Sequence, residues 1–251
     1  MTIHPALEPS LRHRRALKVI SGLANRNIEH VSAVVTAADQ GGATFVDIAA
    51  DAKLVAHVRQ LTDLPICVSA VEARQFVAAV NAGADLVEIG NFDTFYAQGR
   101  QFGAAEVLDI TRQTRDRLPE IMLSVTVPHR LPLDQQCALA EQLVQAGADI
   151  IQTEGGTSCR PSHAGALGLI EKAAPTLAAA YAISRTVSVP VLCASGLSSV
   201  TVPMAIAAGA SGVGVGSAVS QLNSPVAMVA AVRSLAEALT PLTVANAPLG
   251  E

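Results

Sequence analysis

One short unit recurs four times along the chain and restricts the architecture more than any other feature. It reads Gly41-Gly42-Ala43-Thr44-Phe45-Val46-Asp47-Ile48, Ala82-Gly83-Ala84-Asp85-Leu86-Val87-Glu88-Ile89, Ala146-Gly147-Ala148-Asp149-Ile150-Ile151-Gln152-Thr153 and Ala208-Gly209-Ala210-Ser211-Gly212-Val213-Gly214-Val215. Each copy reads as the end of a helix, a glycine stop and a buried strand. Glycine suits the stop because helices commonly end on a left-handed residue, a conformation free of strain only without a Cβ. Between the units lie further apolar runs at 64–69, 121–126 and 189–195, and Leu17-Lys18-Val19-Ile20-Ser21 opens the series, which makes eight strands.

Helical patterns fill every gap, over 28–40, 52–61, 73–82, 104–118, 133–146, 174–186, 200–208 and 226–239. Near-continuous apolar strands alternating with amphipathic helices indicate a parallel sheet covered on both faces. Eight units in 251 residues favour closure into a single α/β (β/α)8 TIM barrel. An open doubly wound sheet would carry a glycine fingerprint after its first strand, and none is there. The barrel is expected over 16–240, between an N-terminal extension, 1–15, and a C-terminal tail, 241–251.

Half of the residues are apolar and 15% are charged, so the chain is built to bury surface. The net charge of -4 provides no broad basic face and argues against nucleic acid. Cys67, Cys137, Cys159 and Cys193 have neither zinc-site spacing nor the pattern of a secreted disulfide framework. The first fifteen residues hold no apolar segment of the kind a secretory signal needs. The stretch 186–232 has no charged residue or histidine, but its glycines and prolines leave no continuous apolar helix, so no membrane span is expected. The high apolar content also points to a homo-oligomeric surface.

In this fold ligands bind at the C-terminal ends of the strands, with phosphate commonly at the loops after strands seven and eight. Those loops read Ala194-Ser195-Gly196-Leu197-Ser198-Ser199 and Gly214-Val215-Gly216-Ser217-Ala218. With no cation nearby in sequence, an anion there would rest on backbone N–H groups and helix entrances. This makes the barrel one of phosphate-binding type, with Ser195, Gly196, Gly216 and Ser217 as its donors, and Gly155 and Gly156 after strand six reaching the same ligand. The competing reading is that these glycines only make tight turns.

Repeat alignment sets Asp47, Glu88, Gln152 and Gly214 at equivalent depths facing the barrel interior. Lys18, on the first strand, is the natural counter-charge, because buried carboxylates are costly unless paired. Lys18, Asp47 and Glu88 therefore read either as an acid–base set or as an ion cluster filling the barrel. Glu154, two positions beyond Gln152, and His129, just past strand five beside Arg130, are further proton-transfer candidates. Asp47, Glu88, His129 and Glu154 would also suit a divalent metal, although no local spacing requires one. Four of the seven aromatic residues fall between Phe92 and Phe102, which suggests a lid in which Tyr96 and Arg100 cover the ligand, or a packed helix start. Cys67 and Cys193 read as core residues, and Cys159 as the one thiol in a ligand loop. The long segment 155–172 reads as a second pocket wall, after which Pro175 restarts the helix.

Nearly the whole sequence resembles the Ycf23 family, a domain of unknown function found in cyanobacteria and on algal plastid genomes. The resemblance is carried by Leu17-Lys18-Val19-Ile20-Ser21-Gly22-Leu23, Cys67-Val68-Ser69-Ala70-Val71-Glu72, Glu88-Ile89-Gly90-Asn91-Phe92-Asp93, Leu123-Ser124-Val125-Thr126-Val127-Pro128-His129, Gln152-Thr153-Glu154-Gly155-Gly156-Thr157-Ser158 and Cys193-Ala194-Ser195-Gly196-Leu197-Ser198. Ala50 departs from the family, which often has Cys there. The resemblance implies a barrel working in the cyanobacterial cytoplasm or the plastid stroma, and it supplies no reaction. Three functions stay open: an isomerase, epimerase or lyase acting on a small phosphorylated metabolite; a barrel binding FMN; and a non-catalytic metabolite sensor or photosynthesis-related scaffold.

Overall fold

The structure, a computed structural model, describes residues 3–240; the expected tail 241–251 lies outside the described residues. Eight parallel strands close into a barrel in chain order: β1 (Ala16–Ile20), β2 (Phe45–Ala49), β3 (Ile66–Ala70), β4 (Leu86–Ile89), β5 (Met122–Thr126), β6 (Ile150–Gln152), β7 (Val191–Ala194) and β8 (Gly212–Val215), with β8 pairing back to β1. The helices are α1 (Glu8–Arg12), α2 (Ile28–Gly41), α3 (Ala52–Val58), α4 (Arg74–Asn81), α5 (Asp93–Tyr96), α6 (Ala104–Arg117), α7 (Leu133–Gln145), α8 (Gly165–Ile183), α9 (Val202–Ala207), α10 (Ser217–Ser220) and α11 (Pro225–Ala238).

The repeat has a physical logic beyond its glycine. Gly42, Gly83, Gly147 and Gly209 stand at φ of 84°, 109°, 99° and 112°, the left-handed stop that the pattern predicts. Two residues later a side-chain oxygen accepts an N–H from the first two residues of the preceding strand: Thr44 Oγ1 from Leu17, Asp85 Oδ2 from Ile66, and Asp149 Oδ2 from Leu123, at 2.9, 2.7 and 3.0 Å. Arginines from the outer layer complete two of these clamps, Arg59 on Asp85 and Arg115 on Asp149.

The barrel interior is layered. Ala16, Phe45, Cys67, Leu86, Met122, Ile150 and Leu192 form an apolar lower layer, and Leu7 and Leu11 of the N-terminal segment pack into it. The segment expected as an extension is thus, from residue 3 onward, a plug that closes the bottom of the barrel. Above this floor lies a polar layer in which Gly214, the fourth repeat position, has a steric role. A Cβ there would stand 2.9 Å from Ala194 Cβ and 3.3 Å from Lys18 Cε, so the missing side chain makes the space that Lys18 occupies.

α8 departs from expectation. It begins at Gly165 and runs through Pro175 instead of restarting there. Proline cannot donate to the carbonyl four residues back, that of Glu171; the Cys159 thiol, 3.2 Å away, donates to it instead. Cys159 therefore repairs a helix rather than facing the ligand. α8 is also long and apolar enough, by length and composition, to cross a membrane, yet Ala173, Thr176, Ala180 and Ile183 bury one face and Thr176 Oγ1 bonds to Ala194 O on β7 at 2.6 Å. The stretch 186–232 is divided among β7, α9, β8, α10 and the start of α11, as its glycines and prolines require.

Gly214→Ala is expected to destabilise the protein by about 1–3 kcal/mol, the usual cost of overpacking, read as a lower urea midpoint at unchanged m-value.

Candidate functional site

Strand alternation sends Lys18, Asp47, Ser69, Glu88, Ser124 and Gln152 inward, all of them buried. Lys18 Nζ donates to Glu88 Oε2 at 2.6 Å and lies 3.9 Å from Asp47 Oδ2. Ser124 Oγ donates to Glu88 Oε2 and Gln152 Nε2 to Glu88 Oε1, at 2.8 and 2.7 Å, while Ser69 Oγ donates to Asp47 Oδ1 at 2.6 Å. Burial alone would lower the Lys18 pKa, but Glu88 and Asp47 overcome it and hold it above its ordinary value. One ammonium thus serves two carboxylates. Asp47, the more distant, is pushed up to about 7 by burial, against the pull of Lys18. Cys67 and Cys193 are core residues; burial raises Cys67 well above the ordinary thiol range and Cys193 to about 11.

Above this layer, at the C-terminal mouth, is a cavity of about 180 Å³. Its floor includes Gln152 and Asn91, and its walls include Ser21, Glu154, Gly196 and Gly216. Lys18, Asp47 and Glu88 do not reach it. The expectation of an acid–base set open to the ligand is corrected to a sealed layer beneath it: Gln152 lies above Glu88, and Asn91 Nδ2 is 3.4 Å from Asp47, Ser69 and Glu88.

The expected donors separate into two groups. Ser195, Gly196, Gly216 and Ser217 line the cavity, and the N–H groups of Gly196, Leu197, Gly216, Ser217 and Ala218 have no acceptor among the described residues. Ser195 holds φ of 75°, a strained value for a residue with a Cβ. Its hydroxyl is already engaged, donating to Asp93 Oδ2 at 3.0 Å and accepting from Thr157 N at 2.9 Å. Gly155 and Gly156 are placed otherwise than expected. Gly155 N–H donates to Asp93 Oδ2 at 3.2 Å, and Gly156 is pressed on the Ser195–Gly196 backbone, 2.5 Å from Gly196 Cα for an added Cβ.

Two carboxylates tie the mouth loops together. Glu154 Oε1 accepts from Tyr96 Oη at 2.8 Å and from His129 N at 3.3 Å, with His129 Nδ1 at 3.2 Å, and Oε2 accepts from Asp93 N at 3.2 Å. Asp93 accepts from Ser158 Oγ at 2.5 Å as well as from Gly155 and Ser195. Burial raises the Glu154 pKa, and the neighbouring Asp93 adds to it. Burial, then Glu154, raises that of Tyr96. Asp93, His129 and Glu154 offer ligand atoms within 4.8 Å of one another, close enough for a divalent ion, yet hydroxyl and N–H donors already claim both carboxylates. The four-residue metal set read from sequence is split between layers, with Asp47 and Glu88 below and His129 and Glu154 above.

The aromatic lid is corrected. Phe92 and Phe102 are buried core, and Arg100 turns to Glu106 at 2.9 Å with its guanidinium 4.4 Å from the Phe102 ring. Salt pairing and ring stacking hold Arg100 away from the cavity. Tyr96 packs edge-on against His129 at 5.1 Å and reaches the cavity only through Glu154. Asp93, Asn91 and Ser21 are cavity residues that the sequence reading left unassigned.

Because Asp47 keeps a proton in the folded state that the unfolded chain releases near pH 4, its contribution falls as pH rises from about 4 to 7. Asp47→Asn is expected to flatten this decline, and the slope difference from wild type approaches one proton, about 1.4 kcal/mol per pH unit. Urea unfolding across that range measures it.

Comparison with known proteins gives a family and a fold. The family described as "Protein of unknown function (DUF561)" matches residues 3–245. The "Uncharacterized protein ycf23" of Pyropia yezoensis is 40% identical over 200 residues, covering 80% of this chain and 73% of its own. That of Cyanophora paradoxa is 47% identical over 189 residues, covering 75% and 77%. Three solved barrels are similar: thiamine phosphate pyrophosphorylase from Pyrococcus furiosus (20% identity, TM-score 0.59, covering 91% and 97%); (S)-3-O-geranylgeranylglyceryl phosphate synthase from Thermoplasma acidophilum in complex with sn-glycerol-1-phosphate (15%, 0.59, 95% and 98%); and 3-hexulose-6-phosphate synthase (17%, 0.62, 90% and 100%). At these identities the solved structures speak for the TIM-barrel fold alone, whereas the sequence matches establish that the chain belongs to the DUF561 family, among relatives of the ycf23 proteins.

Proposed function

We propose that the chain binds a small phosphorylated metabolite at its C-terminal mouth and transfers a proton on it as an isomerase, epimerase or lyase. The observation that carries this reading is the set of N–H groups in the β7–α9 and β8–α10 loops that line one cavity without acceptors, where no Lys, Arg or His lines the wall among the described residues. Such groups form an uncharged anion cradle. Three similar barrels carry a phosphate ester in their names or bound ligand, which supports the same reading.

Glu154 is the acid–base group of this proposal, since it lines the cavity and burial raises its affinity for a proton above that of an ordinary carboxylate, the direction a general acid–base group needs. His129, Tyr96 and Asp93 position it. The sealed Lys18, Asp47 and Glu88 layer supports the floor, so a Schiff base on Lys18 has no path to the ligand in this conformation. A flavin fits poorly: an apolar cavity of about 150 Å³ holds benzene, this one is about 180 Å³, and Tyr96 is not free to stack on a ring. The homo-oligomer expected from composition has a surface available on α8, on α9 and in the loop before α9, where Leu167, Tyr181, Met204 and Val200 are exposed. By its relatives, the compartment we propose is the cyanobacterial cytoplasm or the plastid stroma.

A panel of phosphorylated trioses to hexoses, screened by thermal shift, tests the site. A ligand at about 100 times its Kd should raise Tm by roughly 5–10 °C. Gly216→Asp, which has room for a Cβ (nearest atom 3.7 Å), should abolish that rise without unfolding the protein. Glu154→Gln should retain the rise and lose turnover, by 10²-fold or more on the order expected for a general acid–base group. Ligand stabilisation undiminished in Gly216→Asp would overturn the cradle.

A further inference from the structure

Two buried side-chain atoms among the described residues have no hydrogen-bond partner, Gln152 Oε1 and Ser21 Oγ, and both residues line the mouth cavity. Gln152 is 1% exposed and Ser21 7%, so water in bulk does not serve them. Buried polar groups are almost always paired, and an orphan beside a cavity calls for a reason.

The amide of Gln152 cannot be turned to relieve its orphan. Both Nε2 hydrogens are claimed, by Glu88 Oε1 at 2.7 Å and Thr126 Oγ1 at 3.1 Å. Rotating the amide would set its carbonyl oxygen against the Glu88 carboxylate, which Lys18 and Ser124 hold in place. Oε1 is therefore a fixed acceptor. Ser21 is anchored through its main chain, its N–H on Asp47 O at 2.8 Å and its carbonyl accepting from Asn25 Nδ2 at 3.2 Å, so its hydroxyl is left to the cavity. It sits beside the anion cradle, since Gly216 lies against the preceding residue, Ile20.

We infer that the ligand is a short phosphorylated polyol that donates one hydroxyl to Gln152 Oε1 and engages Ser21 with another. A carbonyl or carboxylate at the Gln152 position would meet a lone pair instead of a donor, so the group there is a hydrogen-bond donor, in this proposal an alcohol. Lys18 and Glu88 are positioning residues for this contact, because they fix which end of the Gln152 amide faces the ligand. The inference rests on the phosphate reading above and adds the chemistry of the remainder of the ligand.

The test is isothermal titration of the full chain with three probes: racemic glycerol 1-phosphate; propyl phosphate, which has the same carbon count and no hydroxyl; and inorganic phosphate. Glycerol phosphate is expected to bind about 10-fold or more tightly than propyl phosphate, because a site built to hydrogen-bond an alcohol rejects the analogue lacking it. Ser21→Ala should cut that preference about 3-fold or more while leaving Tm unchanged, since its hydroxyl has no protein bond to lose. Gln152→Met should remove the rest of the preference. Equal binding of the two esters to wild type, with both lost in Gly216→Asp, overturns the polyol inference and leaves the phosphate site standing. Failure of all three probes to bind overturns both.

Discussion

The Lys18–Glu88 pair inside the barrel is the constraint on which the rest of the site depends. A charge taken out of water is costly unless every partner is in place, and here several strands supply the partners: Asp47 on β2, Glu88 on β4, Ser124 on β5, Gln152 on β6, and on β8 the empty space of Gly214. The polar layer is satisfied only in one register, because a slip of one residue would turn these side chains outward. It also sets the floor of the mouth, since the glutamine that meets the cavity is oriented by the glutamate beneath it.

The mouth is built on a second principle. Strand ends are fixed by the barrel, but the loops beyond them are not, and Asp93 and Glu154 join the loops after β4, β5, β6 and β7 through serine, tyrosine, histidine and main-chain donors. Because their oxygens are engaged, these carboxylates hold geometry first; both border the cavity, and burial raises the affinity of Glu154 for its proton. The opposite wall, after β7 and β8, is left with open N–H groups. The cavity is thus polar in two senses, acceptor-rich on one side and donor-rich on the other, which suits a ligand with an anionic end and a hydroxylated body.

Some of this was legible in the residues and some was not, for identifiable reasons. The repeat exposed Asp47, Glu88 and Gln152 because alternation along a strand is local and the glycine stop marks its phase. The same alternation placed Lys18 opposite them. Asp93 carried no such mark: its partners Ser158 and Ser195 lie 65 and 102 residues further on, and only closure of the barrel brings them to it. Pro175 misled for a related reason. Read locally it starts a helix, while the donor that permits it inside one, Cys159, arrives from a loop sixteen residues earlier.

The sequence by itself determined the eight-fold alternation, the inward polar set and the two glycine-serine loops, because helix stops, strand periodicity and turn chemistry are written over a few neighbouring residues. Tertiary structure alone decided which polar groups meet the cavity and which are sealed beneath it, that the N-terminal segment is a plug, and that Arg100 faces away. Depth and access are properties of closure: a side chain pointing inward is a fact of its own strand, but whether another residue lies above it depends on every other strand in the ring.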